Sequence, residues 1–320
     1  MTPDRTTGRS LPQTRHHGEF TAVGLAAEKR ARGLTVSVVI PARNEAPTVG
    51  DVAGILRREL LEQVGLIDEV LVVDADSEDG TAEAARASGA RVVRQSDVLP
   101  EAGSALGKGE ALWKGLAASD GDLVVFIDAD ILDIGPRFVV GLLGPLLLDD
   151  VRFVKATYDR PMQIGEQLHP SGGGRVTELL ARPLIAAFWP ELAWLAQPLS
   201  GEYAGDRALL ESLPFVRGYG VELAMLVDIL ELHGSGVLAQ VDLGRRVHDH
   251  QDLDALGRMA SEILQVAVDR LSRQGRLVLT DPLTTSLLQP VRDAEGRLSM
   301  VRSETCPEQR PPLARWRDGH

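Results

Sequence analysis

Two carboxylates separated by one small residue, Asp128-Ala129-Asp130, directly follow the apolar run Leu123-Val124-Val125-Phe126-Ile127. Oxygen ligands so placed suit a hard divalent cation, and Mg²⁺ is usually shared between carboxylates and a substrate's phosphates. The competing reading is a polar strand end that caps the next helix. Lys108, between Gly107 and Gly109, offers a point charge on a flexible backbone, which suits a phosphate. A solvated lysine opening a helix is the alternative, and glycine on both sides of it would cost stability. His248, with Asp249 beside it, stands at the end of an apolar stretch and becomes a candidate nitrogen ligand once the Asp128/Asp130 pair is present. Glu222 opens a helical pattern, where it either compensates the helix dipole or meets a ligand. In Gly172-Gly173-Gly174-Arg175-Val176-Thr177, glycines let backbone N–H groups approach an anion without Cβ obstruction. Arg175 can grip a carboxylate or phosphate through two parallel bonds, and Thr177 adds another donor. A glycine-rich linker leading to a helix cap is the alternative there.

These side chains need a scaffold. The Leu123–Ile127 run is rich in β-branched residues and reads as a strand buried on both faces, as in a parallel sheet covered by helices. Open α/β sheets bind ligands at the carboxyl ends of their strands. Side chains alternate along a strand, so Asp128 and Asp130 are expected to face the same way, with Ala129 leaving the path clear. Val36 to Ile40, Asp68 to Asp74 and Ala90 to Val93 are further strands. Helical patterns over Ala46 to Leu66, Gly80 to Ser88 and about Lys108 to Ala118 separate them. Such alternation predicts an α/β, Rossmann-like doubly wound sheet, mostly parallel, with flanking helices. Beyond Asp130 the pattern predicts a helix at Phe138 to Leu148, a strand at Val151 to Tyr158, and a helix from Arg175 interrupted at Pro183 and Pro190. It then predicts a turn-rich stretch at Leu199 to Asp206, a helix at Val221 to His233, a strand at Val237 to His248 and a helix at Asp252 to Arg273. The expected organisation is a mobile arm over 1–33 (with a short helix at Phe20 to Ala31 as the alternative), a nucleotide-binding half over 34–150 and an acceptor-binding half over 151–275. A tail or docking arm over 276–320 completes it.

The first strand runs into Pro41-Ala42-Arg43-Asn44-Glu45 rather than G-x-G-x-x-G, which disfavours a dinucleotide-dependent dehydrogenase. Asn44 and Glu45 can read a base or ribose there, or Asn44 can cap the helix starting near Ala46. The second strand ends in Asp74-Ala75-Asp76-Ser77-Glu78-Asp79-Gly80-Thr81, where capping by Ser77 or Asp79 competes with a binding role. With Asp128 and Asp130 these pieces make P-x-x-N-E, D-x-x-S-x-D-x-T and D-x-D in register. The chain thereby resembles nucleotide-sugar-dependent glycosyltransferases of the GT-A fold. Gly107-Lys108-Gly109-Glu110-Ala111-Leu112-Trp113, Ser171 to Leu179 and Gly218-Tyr219-Gly220-Val221-Glu222 extend the likeness to the glucosyl-3-phosphoglycerate synthase family over roughly residues 34 to 275.

That resemblance implies retaining transfer of glucose from UDP-glucose to 3-phosphoglycerate, with Mg²⁺ or Mn²⁺. It gives Pro41, Ala42, Asn44 and Glu45 to the uridine pocket. Lys108 goes to the nucleotide side, Asp128 to ribose or metal-shell contacts, Ala75 and Ala129 to the donor generally, and Arg246 to the diphosphate. Asp130 and His248 become metal ligands and Glu222 a partner of sugar hydroxyls. Gly174, Arg175, Thr177 and His250 fall to the acceptor, although an amide-type residue is the family expectation near His250. A backbone carbonyl of the Leu199-Ser200-Gly201 turn, that of Leu199, would steady the positive sugar. No carboxylate nucleophile for a double displacement stands out in the sequence, in keeping with a reaction on one face in which the leaving phosphate deprotonates the acceptor.

Rival readings fit less well. A haloacid-dehalogenase-type phosphatase wants its D-x-D on the first strand, followed by glycine and threonine or valine, whereas Ile131-Leu132 follow here. A nucleotidyltransferase wants a glycine-rich loop after the first strand. A mannosyl homologue using GDP-mannose, and an inactive nucleotide-sugar sensor, stay open. With 34 Lys and Arg against 46 Asp and Glu, the formal charge of −12 disfavours wholesale binding to nucleic acid or an anionic membrane. Aromatic residues make up 4%, so the core rests on aliphatic side chains. The lone Cys306 fits a reducing cytoplasm. The polar first thirty residues lack a signal-peptide pattern, and Phe138 to Leu148 is too short to span a membrane. The apolar stretch Leu179 to Leu199 exceeds one buried helix and suggests a homodimer.

Overall fold

The computed structural model of the protein describes residues 14–159, 162–164, 167–169, 174–246, 253–292, 295–305 and 308–319. In chain order the strands are β1 (Thr14–His16), β2 (Val36–Ala42), β3 (Glu69–Asp74), β4 (Arg91–Arg94), β5 (Leu123–Phe126), β6 (Phe153–Asp159) and β7 (Met162–Ile164). They continue as β8 (Gln167–His169), β9 (Tyr203–Asp206), β10 (Phe215–Val216), β11 (Leu238–Arg245), β12 (Ser286–Arg292), β13 (Leu298–Glu304) and β14 (Gln309–Arg310). Eight of them form one sheet in the order β1-β11-β6-β9-β5-β2-β3-β4. Every neighbouring pair in it is parallel except those of β9, which runs antiparallel to both β5 and β6. The mostly parallel α/β sheet expected from the strand–helix alternation is therefore present.

Alternation along β2 splits the core in two. Val36, Val38, Ile40 and Ala42 enter one apolar cluster and Val39 the other. The first cluster is covered by α1 (Ala22–Ala31), α2 (Val49–Leu56), α3 (Thr81–Ala87) and, beyond β5, by α5 (Arg137–Leu148). The second takes α4 (Lys108–Ala118), α6 (Arg182–Phe188), α7 (Arg207–Ser212), α8 (Val221–His233), α9 (Leu253–Arg273) and α10 (Leu313–Asp318). Burying both faces explains why the strands read as unbroken Val, Leu and Ile runs. Among the described residues no helix is long and apolar enough to cross a membrane.

Four expectations are corrected. The stretch read as turn-rich, Leu199 to Asp206, supplies β9, a central strand. Ala204, Gly205 and Asp206 have little β-propensity, but Tyr203 is fully buried, with its ring 5.1 Å from that of Phe126 and 5.4 Å from that of Phe153. Packing decides strand formation there. Second, β5 stops at Phe126, so Asp128 and Asp130 lie beyond the ladder and strand alternation does not set their directions. Ile127 N still donates to Val39 O at 3.1 Å. Pro41 of β2 has no amide to extend the pairing further.

Third, residues 14–31 belong to the fold. β1 pairs with the edge strand β11, the buried Phe20 packs onto α5, and α1 is a helix near the alternative span given for it. Gly144 of α5 makes that packing possible, because a Cβ there would meet the Phe20 ring at 2.4 Å. Fourth, Pro183 does not interrupt the helix from Arg175. A wider π-helical turn at Thr177–Ala181 precedes α6, relieving the clash that proline makes with the carbonyl four residues back. At the far end of the chain β14 pairs with β10, and Arg310 forms a buried two-bond ion pair with Glu110 of α4 at 2.6 and 2.7 Å. Trp316 meets Trp113 edge-on at 5.7 Å.

Candidate active site

The loops after β2 and β3 are stitched together. Asn44 N donates to Ser77 Oγ at 2.9 Å, and Glu78 N donates to Asn44 Oδ1 at 3.1 Å. Glu45 N donates to Thr81 Oγ1 at 2.8 Å, and Ala46 N to Asp79 Oδ2 at 3.1 Å. Asn44 takes a left-handed φ of +57°, a conformation its short polar side chain tolerates. It does not cap the following helix, whose N-cap is Thr48. Asp79 also accepts the Thr81 amide at the start of α3, so a helix-start role and loop stitching share one carboxylate. Ala75 N donates to Ala42 O at 2.8 Å, and Ala42, Ala75 and Ala129 are all buried beside the half-buried Pro41. Burial, followed by the Asp130 carboxylate, pushes the Glu45 carboxyl up to about 7.

Lys108 is the meeting point of the two halves of the chain. Its Nζ lies 2.7 Å from Asp128 Oδ1 and 3.2 Å from Glu222 Oε1. Burial alone would lower its pKa, but Asp128 and Glu222 outweigh that and hold it well above the ordinary lysine value. The flanking glycines are there for close approach rather than flexibility. Gly109 N donates to Arg217 O at 2.7 Å, and a Cβ on Gly109 would sit 1.7 Å from the backbone oxygen of Val216. Gly109→Ala therefore destabilises the protein by about 1–3 kcal/mol in urea unfolding, despite alanine's helix-propensity advantage of about 1 kcal/mol. An unchanged or raised stability would show that α4 can shift freely. Glu222 Oε1 receives no well-aligned hydrogen bond, and the buried Tyr203 Oη has no hydrogen-bond partner among the described residues.

Asp130 is half exposed, its side chain at 54%, and its Oδ1 lies 3.1 Å from Arg246 Nη2. Burial and then Asp128 raise its pKa, while Arg246 pulls it down. Arg246 itself is buried. Its Nη1 lies 2.6 Å from Glu202 Oε1 and donates to Tyr158 Oη at 2.6 Å, and Tyr158 Oη donates to Glu202 Oε2 at 2.8 Å. Asp128 Oδ2 stands 4.0 Å from Arg246 Nη2. The structure thus brings together Lys108, Asp128, Asp130, Glu222 and Arg246, with Glu45 close enough to feel both aspartates.

The expected acceptor group is placed by another element. Gly174 has a φ of +92°, Arg175 is exposed at the start of the helical segment, and Thr177 is buried in its π-helical turn. Leu199 is half-buried in the turn ahead of β9, where Ser200 N donates to Gln197 O at 3.1 Å. Gly172, Gly173, His248 and His250 lie outside the described residues.

Sequence reasoning missed Glu202, Tyr158, Lys155, Tyr203 and the tight role of Gly201. Lys155 left a signal, a lone charge inside the apolar strand Phe153-Val154-Lys155-Ala156. It is buried, donates to Ser200 O at 2.5 Å, and burial draws its pKa down to about 8 against the opposing pull of Glu222. Glu202 had no spacing signal. A divalent cation fits the Asp130 corner, because burial first and neighbouring carboxylates second raise the pKa values of Glu45 and Asp130, and a positive charge relieves both. Among the described residues no three Asp, Glu, His or Cys side chains converge on a metal position. A cation here would draw its other ligands from elsewhere, as is usual when phosphates complete the shell.

A family model described as glycosyl transferase family 2 matches residues 37–138. The glucosyl-3-phosphoglycerate synthase of Petrotoga mobilis is 46% identical over 305 residues, 95% of this chain and 94% of that protein. Two crystal structures of glucosyl-3-phosphoglycerate synthase from Mycobacterium tuberculosis superpose with a TM-score of 0.83 at 41% identity, over 96% of this chain and 100% of that one. One is in complex with Mn²⁺, UDP and phosphoglyceric acid, the other with Mn²⁺, UDP-glucose and phosphoglyceric acid. A crystal structure of mannosyl-3-phosphoglycerate synthase from Rubrobacter xylanophilus superposes with a TM-score of 0.87 at 43% identity, over 95% of this chain and 97% of that one.

Proposed function

Because the chain belongs to the glucosyl-3-phosphoglycerate synthase family, we propose that it transfers glucose from UDP-glucose to the 2-hydroxyl of 3-phosphoglycerate, with retention and with Mg²⁺ or Mn²⁺. The carrying observation is the charge cluster beyond the ends of β2 and β5, where Lys108 and Arg246 face Asp128, Asp130 and Glu222. Pro41, Ala42, Asn44, Glu45 and Ala75 serve the uridine, in a loop pair already fixed by its own hydrogen bonds. Asp130 and His248 hold the cation, which when bound neutralises charge growing on the leaving diphosphate. Arg246 faces the diphosphate, and Lys108 with Asp128 and Ala129 the rest of the donor. Glu222 takes sugar hydroxyls, and its incompletely satisfied Oε1 and the orphaned Tyr203 Oη support a polar ligand there.

Retention follows from attack on the face that diphosphate leaves. The departing phosphate accepts the acceptor's proton, and the Leu199 carbonyl steadies the positive sugar. Residues 34–150 chiefly serve the donor, and 151–275 the acceptor, while also supplying Glu222 and Arg246 to the charge cluster. Gly174, Arg175, Thr177 and His250 take the acceptor. A charge-assisted hydrogen bond contributes roughly 1.5–3 kcal/mol, so Arg175→Ala raises the KM for 3-phosphoglycerate about 10- to 150-fold. UDP affinity measured calorimetrically stays level; a collapse of UDP binding with an unchanged acceptor KM would move this loop to the donor. The protein works as a cytoplasmic homodimer. Exposed apolar side chains at Leu179, Leu288, Leu298 and Met300 support that assembly, and light scattering that returns a monomer mass would refute it.

A second reading, mannosyl transfer from GDP-mannose, is favoured by the name of the Rubrobacter xylanophilus neighbour. Initial rates with UDP-glucose and GDP-mannose at equal concentration separate the two. The proposal expects kcat/KM to favour UDP-glucose, and a preference for GDP-mannose would replace it.

A further inference from the structure

Arg246 has two carboxylate neighbours of very different kinds. Asp130 is half exposed and is the residue assigned to the cation, whereas Glu202 is fully buried at 0% exposure. Glu202, Tyr158 and Arg246 close a ring. Nη1 of the arginine meets Glu202 Oε1 and Tyr158 Oη, and the tyrosine hydroxyl returns to Glu202 Oε2. The guanidinium also lies over the Tyr158 ring, 5.2 Å from its centroid. Nη2 faces Asp130, donating to Oδ1 at 3.1 Å, and Nε has no hydrogen-bond partner among the described residues. The backbone holds the same unit together, since Arg246 N donates to Asp159 O at 3.1 Å and Ala156 N to Glu202 O at 3.0 Å.

We propose that Glu202 is a positioning residue that anchors Arg246 from the buried side, so that the guanidinium keeps facing the diphosphate when a cation occupies Asp130. The proposal rests on the reading above that gives Arg246 to the diphosphate and Asp130 to the cation. A divalent ion on Asp130 cancels that carboxylate's attraction and repels the arginine. A carboxylate in the dry interior interacts more strongly with it than the solvated one does. With Glu202 in place, cation and arginine share the site; without it, Arg246 leans on Asp130 and competes with the cation. Tyr158 restricts the arginine's tilt through its hydroxyl and its ring.

The test measures calorimetric binding of UDP with Mn²⁺, alongside kcat, in Glu202→Gln, Arg246→Met and the double variant. Glu202→Gln should weaken UDP–Mn²⁺ binding about tenfold and lower kcat about 10- to 100-fold. In the Arg246→Met background it should weaken binding no further. It should also raise the melting temperature of that background, because it removes a buried carboxylate that has lost its partner. A residue that merely packs would lower stability in both backgrounds. Binding within twofold of wild type in Glu202→Gln, with binding lost in Arg246→Met, would overturn the positioning role while sparing the diphosphate reading. So would equal losses in both backgrounds. Unchanged UDP–Mn²⁺ binding in Arg246→Met would overturn the diphosphate reading and the proposal with it. If Glu202→Gln does not fold, Tyr158→Phe decides: a three- to tenfold loss of UDP–Mn²⁺ affinity is expected, and binding within twofold of wild type overturns the role.

Discussion

Asp130→Asn lowers kcat by about 10³-fold at saturating Mg²⁺ and leaves the fold intact. Removing one fixed charge partner of a developing anion typically costs about 10²–10³ in rate. Here the lost carboxylate also weakens hold on the cation that acts as Lewis acid, which places the effect at the upper end. The fold should not suffer. Asp130 is half exposed, so an isosteric amide there disturbs no packing. Arg246 keeps Glu202 as a partner. The melting temperature is expected to stay level, and the residual rate to be insensitive to chelator. A variant that keeps near-wild-type turnover in chelator would remove Asp130 from the metal site.

Gly201→Ala lowers kcat/KM for the donor by about 100-fold, although it adds only one methyl group. A Cβ at this position would lie 2.1 Å from Asp128 Oδ2, 2.4 Å from Lys108 Nζ and 2.5 Å from Asp128 Cγ. Lysine can swing away, but the short Asp128 side chain has little room, and the 2.7 Å pair between them must separate. A displacement of about 1 Å at a reacting centre can cost about 10²-fold. Circular dichroism should show an unchanged fold, and steady-state kinetics the loss. Activity within threefold of wild type would mean that the Lys108–Asp128 pair is not needed in the form the structure shows.

Much of the charge cluster beyond β2 and β5 was legible in the sequence because it is built from local signals. A strand buried on both faces reads as an unbroken aliphatic run, and β2, β3 and β5 do. Asp128, Lys108 and Glu222 were singled out one by one from spacing and flanking glycines, and the structure joins them through two ion pairs. The meaning of the glycines was not legible. Gly109 and Gly201 look like flexible positions in sequence, whereas each makes room for an atom from a remote segment, Val216 O for Gly109 and the Asp128 carboxylate for Gly201. β9 was hidden for a related reason. Tyr203-Ala204-Gly205-Asp206 carries no strand pattern, and its place between β5 and β6 is set by packing against Phe126 and Phe153. With β9 unread, the glutamate just ahead of it had no address. Glu202 becomes visible only when Tyr158 and Arg246, 44 and 88 residues apart from it and from each other, converge on it. Burial, unlike periodicity, leaves little trace at a single polar position.

The most direct measurement mixes the protein with UDP-glucose, 3-phosphoglycerate and Mg²⁺ and follows the products by mass spectrometry and proton NMR. The expected result is 3-phosphoglycerate carrying one hexose, α-linked like the sugar in the donor, formed in equal amount with UDP and not formed in excess chelator. Release of UDP with free glucose, a β-linked product, or binding of both ligands without turnover would contradict metal-dependent retaining glucosyl transfer at the Asp130–Arg246 end of the sheet.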